Sequence, residues 1–166
     1  MSAIHRVLIA NRGEIACRVI ATCQRMEIHT VAVYSQSDRG ARHVRMADQA
    51  VCIGPAAASA SYLNAERIIE AAVATQADAI HPGYGFLAEN AAFAQAVIDA
   101  GLIFIGPTPE TIQNMGSKAQ AKALMAAAGV PLVPGFHGED ASDSALIDQA
   151  GAVGWPLMVK AAAGGG

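Results

Sequence analysis

The sequence predicts an α/β fold in which a parallel sheet carries helices on both faces. We expect a second unit to follow, of which these residues form only the first part. Three observations predict it. Short apolar runs of strand length alternate with longer amphipathic segments of helix length, which is the pattern of βαβ units. Of the 166 residues, 53% are hydrophobic and only 15% are charged, so the chain can bury a core. Beyond residue 106 the alternation stops, and helical segments follow one another.

The elements of the first unit follow from the spacing of its apolar residues. Five apolar runs predict strands, and three amphipathic segments predict helices. The strands are predicted at 5–10, 29–35, 49–54, 77–83 and 102–106, and the helices at 14–26, 64–76 and 89–101. Asn64 is the predicted N-cap of the second helix, and Gly101 closes the third. Residues at helical spacing predict the buried face of the first helix, namely Ile15, Val19, Thr22, Cys23 and Met26.

The second unit contains three predicted helices and one strand. These lie at 107–116, 117–129, 143–154 and, for the strand, 155–161. Thr108 is the predicted N-cap of the first of these helices, and Ser117 and Gln120 have capping-box spacing at the start of the second. A connector rich in proline and glycine separates the last two helices. Because this unit has too little chain to close a core, we place a domain boundary near 107–116.

Charge and composition exclude several classes of protein. The net charge is −3 and the pI about 5.9, so nothing favours nucleic acid or a membrane surface as a partner. The N-terminal apolar run is too short for a secretory signal or a membrane span, and we expect a cytoplasmic protein. Cys17, Cys23 and Cys52 include no C-x-x-C pair and are predicted to be buried thiols. The five histidines lack metal-ligand spacing, and we expect no metal ligand in the chain.

Three loops are candidates for a ligand site, because open α/β sheets bind ligands beyond the carboxyl ends of their strands. They are "ANRGE" after the first strand, "HPGYGF" after the fourth and "GPTPE" after the fifth. A dinucleotide-binding fold needs G-x-G-x-x-G in the first loop, where this chain has one glycine. Glu14 would also repel a phosphate at the helix N-terminus, so NAD binding is disfavoured. A simpler interpretation is that Arg12 and Glu14 form a surface pair on a tight turn.

The loop "HPGYGF" carries an unusual combination of glycine and aromatic residues. Gly83 and Gly85 flank Tyr84, and Phe86 follows. Two glycines around an aromatic residue allow backbone to pass close to a ligand while a ring is presented to it. The alternative is that the aromatic rings plug the end of the domain. Glu89 beyond the loop is interpreted as a helix-end charge rather than a catalytic acid.

Two lysines are candidates for binding phosphate. Lys118 lies in the first turn of a predicted helix, where free N–H groups and the positive end of the helix dipole favour an anion. Lys160 ends a predicted strand and precedes a glycine-rich stretch that ends with Gly164, Gly165 and Gly166, which together suggest a flexible phosphate cover. Alternatively, both lysines are surface charges and the glycines form a linker. The order of residues is not that of a P-loop.

Taken together, these motifs resemble the N-terminal part of biotin carboxylases. The family comprises the biotin-carboxylating subunits of acetyl-CoA, propionyl-CoA and methylcrotonyl-CoA carboxylases, with the matching region of pyruvate and urea carboxylases. The resemblance covers nearly the whole chain, and "HPGYGFLAEN" with "MGSK" is its most specific part. The matching stretches, in order, are "IANRGEIACRVI", "TVAVYSQSD", "HVRMADQAVCIGP", "SYLN", "AIHPGYGFLAEN", "FIGPTPETIQNMGSK", "AGVPLVPG" and "VKAAAGGG".

The resemblance implies ATP-dependent carboxylation of biotin by bicarbonate, through carboxyphosphate. It implies a Rossmann-like pre-ATP-grasp domain at 1–113, a connecting helix and linker at 114–135, and the start of an ATP-grasp domain at 136–166. The implied cofactors are ATP, Mg²⁺ held by ligands downstream of this chain, bicarbonate, and biotin on a carrier domain. The implied partners are that biotin carboxyl carrier domain, a carboxyltransferase subunit and a second copy of the carboxylase domain.

The resemblance also assigns roles to particular residues. Lys118 and Lys160 would contact ATP phosphates, and Gly164, Gly165 and Gly166 would begin a lid loop over them. Tyr84 would lie beside the biotin ring, with Gly83 and Gly85 letting the backbone approach. No catalytic residue and no metal ligand falls within the 166 residues, so we expect the chain alone to show no biotin-dependent ATPase activity.

The chain departs from the family pattern at two places. Ser117 stands where the family often has Asp, with little expected consequence because both residues cap helices. Ala21 stands where some dimeric members have a second arginine. This difference weakens the expectation that the chain forms a dimer. An alternative from another class stays open, that of a non-catalytic Rossmann-like module used for docking or for binding a small anion.

Overall fold

The structure is a computed structural model that describes residues 4–116, 118–136 and 142–159. Contacts between Cα atoms divide the chain into two compact units, Met1–Ile112 and Gln113–Gly166. Among the described residues, no helix is long and apolar enough to cross a membrane.

The first unit is built on one parallel sheet of five strands. They are β1 (Arg6–Ile9), β2 (His29–Ser35), β3 (Gln49–Gly54), β4 (Ala79–His81) and β5 (Ile103–Phe104). Their order across the sheet is β3-β2-β1-β4-β5, and every neighbouring pair is parallel. All five predicted strands and the parallel sheet are therefore confirmed. The chain builds the sheet outward from β1 to one edge and then returns to β1's other side with β4.

Helices cover both faces of this sheet. The first unit contains α1 (Gly13–Arg25), α2 (Arg42–Met46), α3 (Ala65–Ala74) and α4 (Ala91–Asp99), and α5 (Pro109–Gly116) begins at its end. Asn64, Asn90 and Thr108 each accept a hydrogen bond from a backbone N–H three residues on, which confirms the predicted caps at Asn64 and Thr108. The short helix α2 was not predicted, because five residues are too few to show a helical period.

Alternate residues of β1 enter two separate cores. Leu8 and Ala10 pack on the face covered by α3 and α4, with Ile68 and Phe93 among their cluster. Val7 and Ile9 enter the other cluster, which α1 covers. This division follows from the two-residue period of a strand. The carboxyl end of β1 is thus held from both faces, which makes it a rigid base for the loop that follows.

The predicted buried face of α1 is confirmed at Cys23 and is wrong for its other residues. Ala16, Ile20 and Cys23 are buried, whereas Ile15 and Val19 are only half-buried and Met26 is 62% exposed. The prediction gave weight to large apolar residues, but a helix that lies close to a sheet buries a small residue such as Ala16.

The expectation of three buried cysteines is also only partly correct. Cys23 is buried, Cys17 is half-buried and Cys52 is exposed. Cys52 lies on the edge strand β3, where side chains alternate between faces, and its neighbour Ile53 is the one that reaches the core.

The second unit contains α6 (Lys118–Ala127) and α7 (Asp143–Val153), which confirms two predicted helices. The predicted strand at 155–161 is wrong for its described part, since 155–159 form no strand. A strand needs a partner for its backbone groups, and the described residues of this unit contain no other strand. None of the residues 113–116, 120–136 and 142–159 is buried, and Val159 is 81% exposed.

Candidate functional site

The candidate site lies where the strand order reverses, between the carboxyl ends of β1 and β4. The sheet runs β2-β1-β4 at this point, so the loops after β1 and β4 are neighbours. Crevices of this kind are the usual ligand sites of open α/β sheets. Two of the three predicted loops, "ANRGE" and "HPGYGF", are joined here by hydrogen bonds. The third, 106–110, makes no hydrogen bond to them within the described part of the chain.

Asn11 joins the two loops. Its side chain is 1% exposed, and Nδ2 donates to the carbonyl oxygens of Pro82 at 2.8 Å and Tyr84 at 3.0 Å. Its Oδ1 accepts a hydrogen bond from the backbone N–H of Arg12 at 2.9 Å. Both donors and the acceptor of the buried amide are therefore satisfied. No pattern in the sequence singles out Asn11, although a polar residue directly after a buried strand is a usable signal.

The backbone at Gly83 needs a glycine for two reasons. Its φ is +67°, in the region that side chains disfavour. A Cβ built there would lie 2.7 Å from Asn11 Nδ2 and 2.8 Å from Ile15 Cγ2. Gly85 has a similar φ of +69°, but a Cβ there would meet nothing within 4 Å. The close approach at Gly83 is thus made by the protein's own side chains, whereas space at Gly85 is open.

The two aromatic residues of the β4 loop point to different surroundings. Tyr84 is 59% exposed, and its hydroxyl lies 3.4 Å from Glu14 Oε2. Phe86 stacks on Tyr62 with ring centroids 5.4 Å apart and an interplanar angle of 8°. The alternative in which both rings plug the domain is therefore wrong for Tyr84. It presents an open ring, while Phe86 serves as the anchor.

Arg12 pairs with Asp38 and not with Glu14, so the predicted surface pair is wrong. Its Nε lies 2.7 Å and its Nη2 2.6 Å from the two carboxylate oxygens of Asp38. This bidentate geometry is the strongest form of such an ion pair. Glu14 instead faces Arg18, one helical turn on, at 3.6 Å. Arg12 and Glu14 are two residues apart, too close in sequence to face each other at a helix start.

Asp38 is the centre of a small polar network at the end of β2. Its Oδ2 accepts from the hydroxyl of Tyr62 at 2.7 Å and from the hydroxyl of Ser35 at 3.2 Å. The backbone N–H of Ser35 in turn donates to the Tyr62 hydroxyl at 2.9 Å. Asp38 and Tyr62 each lie in a stretch that resembles the family, but they are 24 residues apart and no local pattern indicates that they pair, so this network was not predicted.

The network changes the proton affinity of its members. Hydrogen bonding from Arg12, with a smaller contribution from Tyr62, holds the pKa of Asp38 well below its ordinary value. The same hydrogen bond raises the pKa of Arg12. Burial, and then the bond to Asp38, raises the pKa of Tyr62. At neutral pH the cluster is therefore a fixed arrangement of carboxylate, guanidinium and neutral phenol.

His81 ends β4 at the base of the same loop. Its Nδ1 accepts a hydrogen bond from the backbone N–H of Gly83 at 2.9 Å, and burial lowers the pKa of the ring. An accepting Nδ1 means that the imidazole is neutral with its proton on Nε2. A groove of about 560 Å³ runs from this point along α1. Its lining includes His81, Gly83, Tyr84, Ile15, Val19 and Ile105.

The predicted phosphate residues lie elsewhere in the chain. Lys118 begins α6 in the second unit, at the helix start that the sequence predicted. Lys160 and the glycines Gly164, Gly165 and Gly166 lie outside the described residues. The phosphate-binding roles of all five residues therefore stay predictions. Within the described ranges, no three His, Cys, Asp or Glu side chains are grouped so that they could hold a metal ion.

Two family models match this chain. The model described as "Biotin carboxylase, N-terminal domain" matches residues 3–112. The model described as "Carbamoyl-phosphate synthase L chain, ATP binding domain" matches residues 117–166.

Related sequences match over almost the whole chain. The methylcrotonoyl-CoA carboxylase subunit alpha of Mus musculus is 56% identical over 99% of this chain and 23% of its own length. The biotin carboxylase of Allochromatium vinosum is 55% identical over 100% of this chain and 37% of its own length. The chain thus spans 23% of the length of the first relative and 37% of the length of the second.

Solved structures give the same result. The biotin carboxylase–β-γ-ATP complex from Campylobacter jejuni matches with a TM-score of 0.92 at 46% identity, over 99% of this chain and 37% of that one. The biotin carboxylase domain dimer of the Hydrogenobacter thermophilus 2-oxoglutarate carboxylase, in complex with MgADP, ADP and bicarbonate, has a TM-score of 0.91 at 49% identity. That match covers 100% of this chain and 36% of the solved one.

Proposed function

The chain belongs to the biotin carboxylase family, and from this premise we propose that it forms the N-terminal part of a subunit that carboxylates biotin with ATP and bicarbonate. One observation carries the proposal. The family model covers residues 3–112, and within them the "HPGYGF" loop lies at the sheet's switch point with an exposed aromatic ring. The relatives from C. jejuni and H. thermophilus bind an ATP analogue, and MgADP with bicarbonate, respectively.

The proposed reaction has two steps. A bicarbonate oxygen attacks the γ-phosphorus of ATP, the bond to the bridging oxygen breaks, and carboxyphosphate and ADP are formed. N1 of biotin then bonds to the carboxyl carbon, the bond from that carbon to the phosphate oxygen breaks, and the released inorganic phosphate takes up the N1 proton. Because carboxyphosphate reacts with water, the site must hold biotin close and exclude solvent while the intermediate exists.

The exposed loop supplies the biotin side of this site in our proposal. Tyr84 offers an open ring at the switch point, which suits contact with the fused rings of biotin. Gly85 leaves space for a ligand beside the backbone, and Gly83 fixes the backbone against Asn11. Hydrogen bonding from Asn11 to the Tyr84 carbonyl holds this backbone in one conformation before substrate arrives.

The second unit supplies the phosphate side in our proposal. Lys118 and Lys160 are cations that would bind phosphate oxygens as their charge develops. Gly164, Gly165 and Gly166 would begin the loop that covers them. The match of an ATP-binding model to residues 117–166 supports this assignment.

The proposed domain boundaries are 1–113, 114–135 and 136–166. They are supported by the end of the first family model at residue 112 and by the compact unit Met1–Ile112. The described residues offer no cluster of metal ligands, so we assign no step of the reaction to a metal bound by them.

The partners are also part of the proposal. They are the biotin carboxyl carrier domain, a carboxyltransferase subunit and a second carboxylase domain, the last supported by the dimer described for H. thermophilus. We propose that the protein works in the cytoplasm, whereas the methylcrotonoyl-CoA carboxylase subunit of Mus musculus is mitochondrial.

Nucleotide titration distinguishes the carboxylase from the alternative docking module. In a polypeptide that extends this chain to the length of its relatives, Lys160→Ala should weaken MgATP binding by about 10- to 100-fold, because a hydrogen bond to a charged group is lost. Lys122→Ala, a lysine in α6 without an assigned phosphate contact, is the matched control. Calorimetric titration with MgATP measures both. The docking module predicts no nucleotide binding in any of the three proteins.

Product analysis tests the reaction itself. The extended polypeptide should release ADP in a manner that depends on both bicarbonate and free biotin, while the 166 residues alone should not. Steady biotin-dependent ADP release by the 166 residues would show that the assignment of the catalytic groups to the remainder of the protein is wrong.

A further inference from the structure

We infer that Asn11 and Phe86 are positioning residues for biotin carboxylation, which clamp the loop 82–86 from its two ends and so fix the orientation of Tyr84. The inference rests on the proposed function, because it concerns how the loop meets biotin. It adds two residues to which neither the motif nor the family assignment gave a role.

The first end of the loop is held by Asn11. This residue follows the central strand β1 and is almost fully buried, so its own position is fixed by the sheet. Its amide bonds span the turn, with one donated to the Pro82 carbonyl and one to the Tyr84 carbonyl. A side chain with only acceptors could make neither bond.

The second end of the loop is held by Phe86. Its φ of +42° is unfavourable for a residue with a side chain, so the surrounding structure must hold it. The stack on Tyr62 does so, and the Tyr62 hydroxyl is fixed by Asp38 and by the backbone N–H of Ser35. This series of contacts ends at Arg12, which donates two hydrogen bonds to Asp38.

Within the described part of the chain, little else fixes the ring between these ends. Tyr84 is largely exposed, and the one hydrogen bond that its hydroxyl makes to a described residue, the exposed Glu14, is 3.4 Å long. A Cβ built on Gly85 beside it would meet nothing within 4 Å. The direction of the Tyr84 side chain is therefore set by the backbone, and the backbone is set by the two clamps. Such preorganisation lowers the entropy lost when a ligand is bound.

The first test is Asn11→Asp in the extended polypeptide, which keeps the shape of the side chain and removes both donors. We expect kcat/KM for free biotin to fall by about 10- to 100-fold, as for a group misplaced by around 1 Å. The Kd for MgATP should stay within about twofold, since the nucleotide residues are elsewhere. Asn114→Asp, the same change at an exposed residue of α5, should leave both unchanged.

Amide hydrogen exchange gives a second measurement that does not need activity. Peptides that cover 82–88 should exchange about tenfold faster in Asn11→Asp than in Asn114→Asp, because the loop opens locally more often. Peptides from β2 and α3 should not change. A general loss of structure would instead accelerate exchange everywhere, which separates positioning from stability.

Phe86→Ala tests the other clamp. If Asn11→Asp does not fold, the Phe86 variants alone test the inference. Phe86 is 39% exposed, so its replacement leaves the core intact. It should lower kcat/KM for biotin and speed exchange at 82–88, and Phe86→Tyr, which keeps the stack, should restore both. Wild-type rates and exchange in the folded variants would overturn the inference. A wild-type polypeptide that carboxylates no biotin would overturn the proposed function, and exchange at 82–88 would still report whether the clamp exists.

Discussion

At the scale of single residues, His43 is the most deeply buried of the titratable groups described in the first unit. It is fully buried on α2, and its Nε2 lies 3.2 Å from the carbonyl oxygen of Val33. A carbonyl only accepts, so the proton is on Nε2 and the ring is neutral. Nδ1 is buried and has no hydrogen-bond partner among the described residues, so a proton there would be unsatisfied. Burial accordingly lowers the pKa of His43 below its ordinary value of 6.5, against smaller opposing effects from Val33 and Asp38.

This lowered pKa predicts that acid weakens the fold between pH 7 and pH 5. Below pH 6.5 the unfolded chain binds a proton that folded His43 excludes, so stability is complete above that pH and is lost as pH falls. The loss is at most about 1.4 kcal/mol per pH unit for one group. His43→Gln keeps a donor for Val33 but does not titrate, and should reduce the difference in unfolding free energy between the two pH values. Half-buried His81, whose pKa is also lowered by burial, should retain part of this difference.

Urea unfolding at pH 7 and pH 5 measures this prediction. His29→Gln, at an exposed histidine, is the control and should behave as wild type. Asp38, Asp48 and Asp78 do not interfere, because hydrogen bonds lower the pKa of each carboxylate and they titrate below this range. If His43→Gln keeps the full wild-type pH dependence, the buried imidazole is not its source.

At the scale of elements, the sequence alone predicts the strands and most helices of the first unit. It does not predict which residues of these elements contact one another. The apolar runs of β1 to β5 are continuous because both faces of a parallel sheet are buried, and this pattern is visible without tertiary information. The contacts of Asn11 with Pro82 and Tyr84 join residues more than 70 positions apart. The position of the loops follows from the switch-point rule, but their polar partners depend on register and packing that no local pattern records.

The β4–α4 loop offers a matched pair of substitutions at this scale. Gly83 and Gly85 have nearly equal φ values, but only Gly83 lies against Asn11 and Ile15. Gly85→Ala should cost about 1 kcal/mol for its backbone conformation alone. Gly83→Ala should cost a further 1–3 kcal/mol or so, because its Cβ must displace buried side chains. Urea denaturation of the two variants measures the difference, and equal costs would show that Asn11 does not hold the loop tightly.

At the scale of the whole molecule, the two units differ in how much of their surface they bury. The first has two apolar clusters, one on each face of its sheet. The described part of the second consists of α6, α7 and their flanking segments, with apolar side chains such as Ile147 and Trp155 largely exposed. The sequence predicted that this unit could not close a core. The strand predicted at 155–161 is wrong for its described part, 155–159. Apolar character indicates burial, whereas a strand also needs a neighbouring strand.

This difference predicts where a protease cuts the 166-residue chain. Cleavage requires local opening, which costs little where few apolar side chains are buried and much where a core must open. Thermolysin cuts before apolar residues, and exposed ones follow residue 113, among them Leu124, Val130 and Val133. Limited digestion should therefore leave a resistant product that begins near the N-terminus and ends between residue 113 and about 133, as measured by intact mass. The exposed apolar residues of the first unit, such as Met26 at the C-cap of α1 and Val73 in α3, are internal controls, because they are equally accessible but belong to helices packed on a core. A resistant product that retains α7, or early cuts at Met26 and Val73, would show that the second unit is as stable as the first.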